Sequence, residues 1–159
     1  MSENIALAGR IRESTVELEY VVTRTIHLAE KALQSNDDGY WDGVALNLHG
    51  FYTGVERIFE DIARTIDESL PDGADWHRDL LLQISAQETG VRPAVIARDT
   101  RKCLDEYRGF RHVVRSVYTF SLRPSRIKEL VDGLTACFEV VSRDLDLFAA
   151  FLKSLDQDD

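Results

Sequence analysis

The stretch VALNLHGFYTGVERIFEDI, residues 44–62, decides the fold. Its apolar side chains recur at alternating spacings of four and three residues, at Val44, Leu48, Phe51, Val55, Ile58 and Ile62. A helix turns by about 100° per residue, so this spacing places all six side chains on one face. The stretch therefore predicts a helix over residues 41–69 that buries this face in a core.

Two more long helices are predicted on either side of this one. Apolar residues recur at alternating spacings of four and seven over residues 6–34, and at spacings of three, four and seven over residues 125–155. The two predicted stripes end at Leu33 and Leu155, respectively. No segment of useful length alternates with the period of two that a half-buried strand would show.

The chain between these helices predicts one short and one long helix. Asp75 is a favourable N-cap for a short helix that reaches Ile84, and Pro93 suits the first position of a helix that runs to about Phe120. The fold class is therefore predicted to be all-α, an up-and-down bundle of four long helices plus one short helix. Residues 1–159 are expected to form a single domain, with connections of about five residues.

Charge is distributed unevenly along the chain. The whole sequence carries 19 basic and 28 acidic residues, a net charge of −9, which argues against a protein that coats nucleic acid or membranes generally. Residues 98–128 alone contain nine basic and three acidic residues. An anionic ligand is expected to be drawn to this window. Alternatively, its arginines pair with acids from neighbouring helices.

The two cysteines and the N-terminus predict a compartment. Cys103 and Cys137 lie 34 positions apart at apolar helical positions, without CxxC spacing, and are predicted to be reduced core residues. The N-terminus shows no signal-peptide pattern, and no apolar run approaches the ~18 residues of a membrane span. A cytoplasmic protein without membrane contact is expected.

The basic window contains a two-sided helical stretch, RGFRHVVRSVY, residues 108–118. Arg108, Arg111, Arg115 and Tyr118 fall within a sector of about 80° on a regular helix. Phe110, Val113, Val114 and Val117 fall on the opposite, core-facing side. Three guanidinium groups and a phenol on one face predict a surface that binds a polyanion.

His112 lies among these arginines, about 40° from Arg108 and 60° from Arg115 around the helix. Repulsion between like charges should lower the pKa of the imidazole and leave it a neutral base near pH 7. The alternative is a partly exposed histidine bonded to a neighbouring helix. No histidine has an acid three residues before it, and no phosphate loop or zinc cluster occurs, so neither a metal nor a cofactor is expected.

The segment FRHVVRSVY, residues 110–118, resembles the motif of HEPN-domain proteins of the HepT-like type, which reads Arg, four residues, His, one residue, Tyr. The segments FYTGVERIFE (51–60), WHRDLL (76–81) and VRPAV (91–95) are similar to HepT-like segments in the same order. The resemblance extends over roughly residues 5–155. It implies a HEPN-like bundle and a ribonuclease toxin of a bacterial toxin-antitoxin pair.

The resemblance implies roles for particular residues. Arg111 corresponds to the motif arginine, which stabilises charge on the scissile phosphate, while Arg108 and Arg115 would bind and steer RNA. The motif histidine, which moves the proton of the ribose 2′-hydroxyl, corresponds to Ser116, and serine cannot act as an acid or base near pH 7. Family members cleave RNA without a metal, in a cleft between the two protomers of a homodimer.

Three functional interpretations remain open at this point. In the first, His112 takes over proton transfer from position 116, which lies about 140° from Arg111 on an ideal helix. In the second, the chain is a catalytically degenerate subunit that binds RNA or nucleotide for a nucleotidyltransferase partner. In the third, the bundle is structural and its basic stripe is a protein interface.

The resemblance also implies a partner and a modification. In HepT-like pairs, a minimal nucleotidyltransferase (MNT-type) antitoxin attaches AMP to the motif tyrosine, which corresponds to Tyr118. The added phosphate would lie beside Arg111 and Arg115 and obstruct the RNA site. Alternatively, Tyr118 is an amphipathic residue at a helix end.

Overall fold

The computed structural model describes residues 2–116 and 123–157, with the backbone alone for residues 111–116. This part of the chain contains five α-helices and no β-strand. The helices are α1 (Glu3–Gln34), α2 (Gly39–Ile62), α3 (Trp76–Ser85), α4 (Arg98–Ser116) and α5 (Pro124–Gln157), and α2 continues into a π-helical turn, Ala63–Asp67. The predicted all-α architecture of four long helices and one short helix is confirmed.

The first two helices pack antiparallel at close range. A Cβ atom added to Gly54 would lie 2.8 Å from Leu18 Cδ2, so a larger residue at this position would force the buried Leu18 side chain to move. Further along the pair, Arg10 Nε lies 2.8 Å from Asp61 Oδ2. At the other end of α1, the hydroxyl of Ser2 donates to Asp156, which places the start of α1 beside the end of α5. The long helices therefore alternate in direction.

The stripe predicted on α2 is confirmed, since all six of its apolar residues are at most 4% exposed. The last residue of the predicted stripe is not buried in α1 or in α5. Leu33 is 61% and Leu155 39% exposed. On α1 the buried residues recur at alternating spacings of three and four, and this seven-residue repeat continues from Ala29 to Ala32, so Leu33 lies outside it.

The predicted start of the fourth helix at Pro93 is wrong, because α4 begins at Arg98. The preceding residues are held in a non-helical path by contacts from elsewhere. The amide of Val95 donates to Ile84 O at 3.0 Å. The amide of Ala97 donates to Asp144 Oδ2, also at 3.0 Å, so a carboxylate of α5 caps the N-terminus of α4.

Asp75 lies at the N-cap position of α3, as predicted, but its side chain does not cap the helix. Its backbone has φ −105° and ψ 24°, away from the extended conformation usual at an N-cap, and its side chain makes no capping hydrogen bond. The carboxylate lies instead 3.6 Å from the guanidinium group of Arg78. The backbone carbonyl of Asp75 accepts from the amide of Asp79 at 3.0 Å.

The prediction of two reduced cysteines is contradicted. Cys103 of α4 and Cys137 of α5 are joined by a disulfide, with their Cα atoms 5.9 Å apart. Their apolar positions were predicted correctly, because Cys137 belongs to the core and Cys103 is half-buried against it. The antiparallel packing of α4 on α5 brings together two residues that a spacing of 34 positions does not connect.

Among the described residues, no helix is both long and apolar enough to cross a membrane.

Candidate functional site

The predicted site residues lie at the C-terminal end of α4. The helix runs to Ser116, so the helical frame predicted for Arg108, Arg111, His112, Arg115 and Ser116 is present. Around a regular helix, position 116 lies about 140° from position 111. The side chains of residues 111–116 and the whole of Tyr118 lie outside the described residues.

Two contacts of Tyr107 fix where this end of α4 lies. Its ring meets Phe51 of α2 edge to face, with centroids 5.5 Å apart. Its hydroxyl donates to the carbonyl of Leu130 in α5 at 2.6 Å. Because α4 runs antiparallel to both neighbours, its last turns lie at the end of the bundle where α2 and α5 begin.

Tyr107 is a structural donor and not a proton carrier. Burial raises the pKa of its phenol far above the usual value of 10, and the neighbouring Glu106 carboxylate raises it further, while Arg126 acts in the opposite direction. The phenol therefore stays protonated, and its hydrogen bond to Leu130 persists at any physiological pH.

Arg108 is the one predicted RNA-binding residue whose side chain is described. Its Nε donates to Asp105 Oδ1 at 2.7 Å, and the pair is three residues apart on the surface of α4. Arg126 and Lys128 likewise contact acids of their own helix, Glu129 and Asp132. Such exposed pairs contribute little to stability and exchange readily for a phosphate.

Other basic side chains of the window are available without breaking an ion pair. Within the described ranges, Arg98, Lys102 and Arg123 have no carboxylate within 4 Å. Arg101 donates to the hydroxyl of Ser85 at 3.0 Å. The alternative of ion pairs with neighbouring helices therefore does not describe this part of the window.

Sequence reasoning missed a buried cluster that anchors the segment before α4. The side chains of Arg92 and Asp67 are fully buried, and their two hydrogen bonds measure 2.6 and 2.8 Å. Arg92 also donates to the carbonyls of Gln83, Ala86 and Pro93, so every guanidinium nitrogen is bonded. The only sequence signal was the position of Arg92 within the VRPAV segment.

A second missed cluster joins α2 to α3. Glu56 is 4% exposed, and its Oε2 lies 2.7 Å from Nδ1 of His77. The ring of Trp76 lies against the imidazole, with centroids 3.7 Å apart. A glutamate next to the apolar stripe of α2 was the signal that could have indicated it, since a buried carboxylate requires a partner.

No group of three or more His, Cys, Asp or Glu side chains in the described ranges has an arrangement that could hold a metal ion. A groove of about 430 Å³ is lined by residues of α1 and α2, among them Arg10, Arg57 and Asp61. It contains none of the predicted site residues.

Comparison with protein families decides the relationship. A family model described as HepT-like protein matches residues 43–152. The chain belongs to the HepT-like family. The HepT-like match begins near the start of α2 and ends near the end of α5, so it includes all of residues 108–118. No curated protein and no solved structure gives a match.

Proposed function

We propose that the protein is the toxin of a HepT-like toxin-antitoxin pair, a metal-independent endoribonuclease that acts as a homodimer in the cytoplasm. The observation that carries this proposal is the HepT-like match over the segment that contains Arg111, His112 and Ser116. A regular helix through Ser116 supports it, because the predicted positions of these residues depend on that helix.

Arg111 would bind the scissile phosphate. A planar guanidinium group pairs with two phosphate oxygens, and it stabilises the charge that develops on them in the transition state. Arg108 and Arg115 would hold the adjacent phosphates. The weak, exposed pair between Arg108 and Asp105 supports this role, because RNA can displace the carboxylate at little cost.

His112 would take the proton of the ribose 2′-hydroxyl, which attacks the phosphorus and releases the 5′-oxygen of the next nucleotide. On a regular helix, the arginines at positions 108 and 115 would lie beside His112, and like-charge repulsion would favour the neutral imidazole, the form that a general base requires. Ser116, at the position of the motif histidine, would at most donate a hydrogen bond, because its hydroxyl does not titrate near pH 7.

RNA cleavage in the presence of a metal chelator tests this function. We expect the wild type to produce fragments with 2′,3′-cyclic phosphate ends, and Arg111→Ala to reduce the rate by about 10²–10³-fold. Arg12→Ala, an exposed arginine on α1, is the control and should cleave at the wild-type rate. Absence of cleavage by the wild type contradicts the proposal.

The second candidate is a catalytically degenerate HEPN subunit that binds RNA or nucleotide for a nucleotidyltransferase. Ser116 at the histidine position of the motif favours it. Such a protein would bind RNA without cutting it, and its affinity would fall steeply with salt because phosphate contacts release counterions. A structural bundle would show no salt-dependent RNA binding.

Tyr118 would be the AMP acceptor through which a nucleotidyltransferase antitoxin silences the protein. The added phosphate would occupy the arginine face by charge and bulk. Intact mass after co-expression with the nucleotidyltransferase should increase by one AMP in the wild type and remain unchanged in Tyr118→Phe. An AMP adduct on the Tyr118→Phe variant would assign the modification to another residue.

A further inference from the structure

The disulfide between Cys103 and Cys137 encloses the candidate site. Its two sulfurs close a covalent loop between sequence positions 34 residues apart. Every residue with a proposed role, from Arg108 to Tyr118, lies inside this loop. At 1.5 Å per residue, Arg111 follows Cys103 along α4 by about 12 Å.

Two polar contacts hold α4 to α5 beside the disulfide. Toward the start of α4, Thr100 Oγ1 donates to Asp144 Oδ2 at 2.6 Å. Toward its end, Tyr107 donates to the carbonyl of Leu130, also at 2.6 Å. The disulfide lies between these contacts and is the covalent link of the hairpin that α4 and α5 form.

The two cysteine residues differ in exposure. Cys137 is 3% exposed and belongs to the core, whereas Cys103 is half-buried at the edge of the core. A thiolate from solvent can therefore reach Cys103 more easily than Cys137. Disulfides that exchange reversibly require an accessible sulfur, and in the cytoplasm such bonds commonly act as redox sensors.

We propose that Cys103 and Cys137 form a reversible redox site that controls the order of the α4–α5 hairpin. A thiolate of a dithiol reductant attacks Cys103 Sγ, the Sγ–Sγ bond breaks, and Cys137 leaves as a thiolate that takes up a proton. The second thiol of the reductant then attacks the mixed disulfide, forms its own disulfide and releases Cys103. Two electrons and two protons pass to the protein, and a disulfide oxidant reverses the reaction.

The consequence for the site follows from loop closure. Breaking the disulfide removes the covalent restraint on the segment between its two cysteines, which lie 34 positions apart. Near the broken bond, α4 and α5 are then joined by apolar packing and by the hydrogen bonds of Thr100 and Tyr107. The end of α4 then opens more often. In a reducing compartment the dithiol is the resting form, and oxidation orders the segment that contains Arg111. This link to activity rests on the proposed function.

Hydrogen–deuterium exchange of the full-length protein tests the redox site without reference to RNA. On reduction with dithiothreitol, amides of residues 104–116 and 124–136 should exchange about tenfold faster, and those of α2 should not change. The Cys103→Ser/Cys137→Ser variant is the matched control. It should exchange like the reduced wild type whether or not dithiothreitol is present.

Alkylation and intact mass supply the second measurement. All samples are alkylated in denaturant: the oxidised wild type should take up no alkyl group, and the same protein treated with dithiothreitol in its native state should take up two. Reduced protein that is treated with a disulfide oxidant before alkylation should again take up none. Identical exchange in the two redox forms, faster exchange throughout the molecule on reduction, or a bond that dithiothreitol opens only after denaturation would each overturn the proposal.

RNA cleavage separates this inference from the function on which its last step rests. The oxidised wild type should cleave about tenfold faster than the reduced form, since small displacements of a catalytic group slow a reaction strongly. Equal rates in both forms overturn the link to the site. If neither form cleaves RNA, the proposed ribonuclease fails, while the exchange result still decides the redox site.

Discussion

The α1–α2 pair and the α4–α5 pair are held together by different means. Between α1 and α2 the contact is close apolar packing, with Leu18 against the bare backbone of Gly54 and one exposed ion pair at Arg10. Between α4 and α5 the described contacts include a buried carboxylate cap, a disulfide and a phenol–carbonyl hydrogen bond. The pair that contains the candidate site therefore depends on individual polar and covalent contacts.

The largest loss of folding stability is expected where a buried charge loses its closest ionic partner. Asp67→Ala leaves the buried guanidinium group of Arg92 with only the more distant carboxylate of Glu88, at 3.8 Å, and should lower the free energy of unfolding by about 3–5 kcal/mol. Asp61→Ala removes the exposed partner of Arg10 and should cost less than about 1 kcal/mol. Urea denaturation of both variants measures the difference, and equal losses would contradict the role of the buried cluster.

Close packing between α1 and α2 can be tested with two glycines of the same helix. Gly54→Val places side-chain atoms against Leu18 and should destabilise the protein by about 1–3 kcal/mol. A Cβ atom at Gly50 meets nothing within 4 Å, so Gly50→Ala should stabilise by up to about 1 kcal/mol through helix propensity. If both substitutions stabilise, α1 and α2 do not pack as closely as described.

Among these three contacts, the smallest loss of folding stability is expected at the phenol of Tyr107, which links α4 to α5. Tyr107→Phe removes the donor to Leu130 and should cost about 1 kcal/mol at neutral pH. Because folding raises the pKa of Tyr107 above its usual value of 10, wild-type stability should begin to fall as the pH rises through that value. Denaturation from about pH 9 to about pH 11 should show a shallower fall in Tyr107→Phe, and identical slopes would argue against a buried phenol.

Periodicity predicted the helices well where packing is apolar. All six residues of the α2 stripe are buried, because an amphipathic helix against a core needs only the right spacing. The predicted helix start at Pro93 was wrong, because a carboxylate from α5 sets the start of α4. The predicted redox state of the two cysteines was also wrong, because these residues meet only through tertiary packing. The prediction for Leu33 was wrong because the buried repeat of α1 continues at Ala32 and leaves position 33 exposed.

The helix that carries the candidate site was predictable from the sequence, but the buried polar clusters elsewhere in the bundle were not. Residues 108–116 are helical as expected, and the resemblance to HepT-like proteins agrees with the family match. Arg92 and the Glu56–His77 pair were missed, because their partners lie 25 and 21 positions away and nothing local marks them. A single sequence shows which faces are apolar, but it does not show which buried polar groups find each other.

Cleavage of RNA by four forms of the protein, in a metal chelator, tests most directly whether His112 replaces the histidine of the motif. We expect cleavage by the wild type, a loss of about 10²–10⁴-fold in His112→Ala, and little change in Ser116→Ala. Ser116→His should leave the wild-type cleavage in place. Cleavage that appears only in Ser116→His, or that survives unchanged in His112→Ala, would contradict this role of His112.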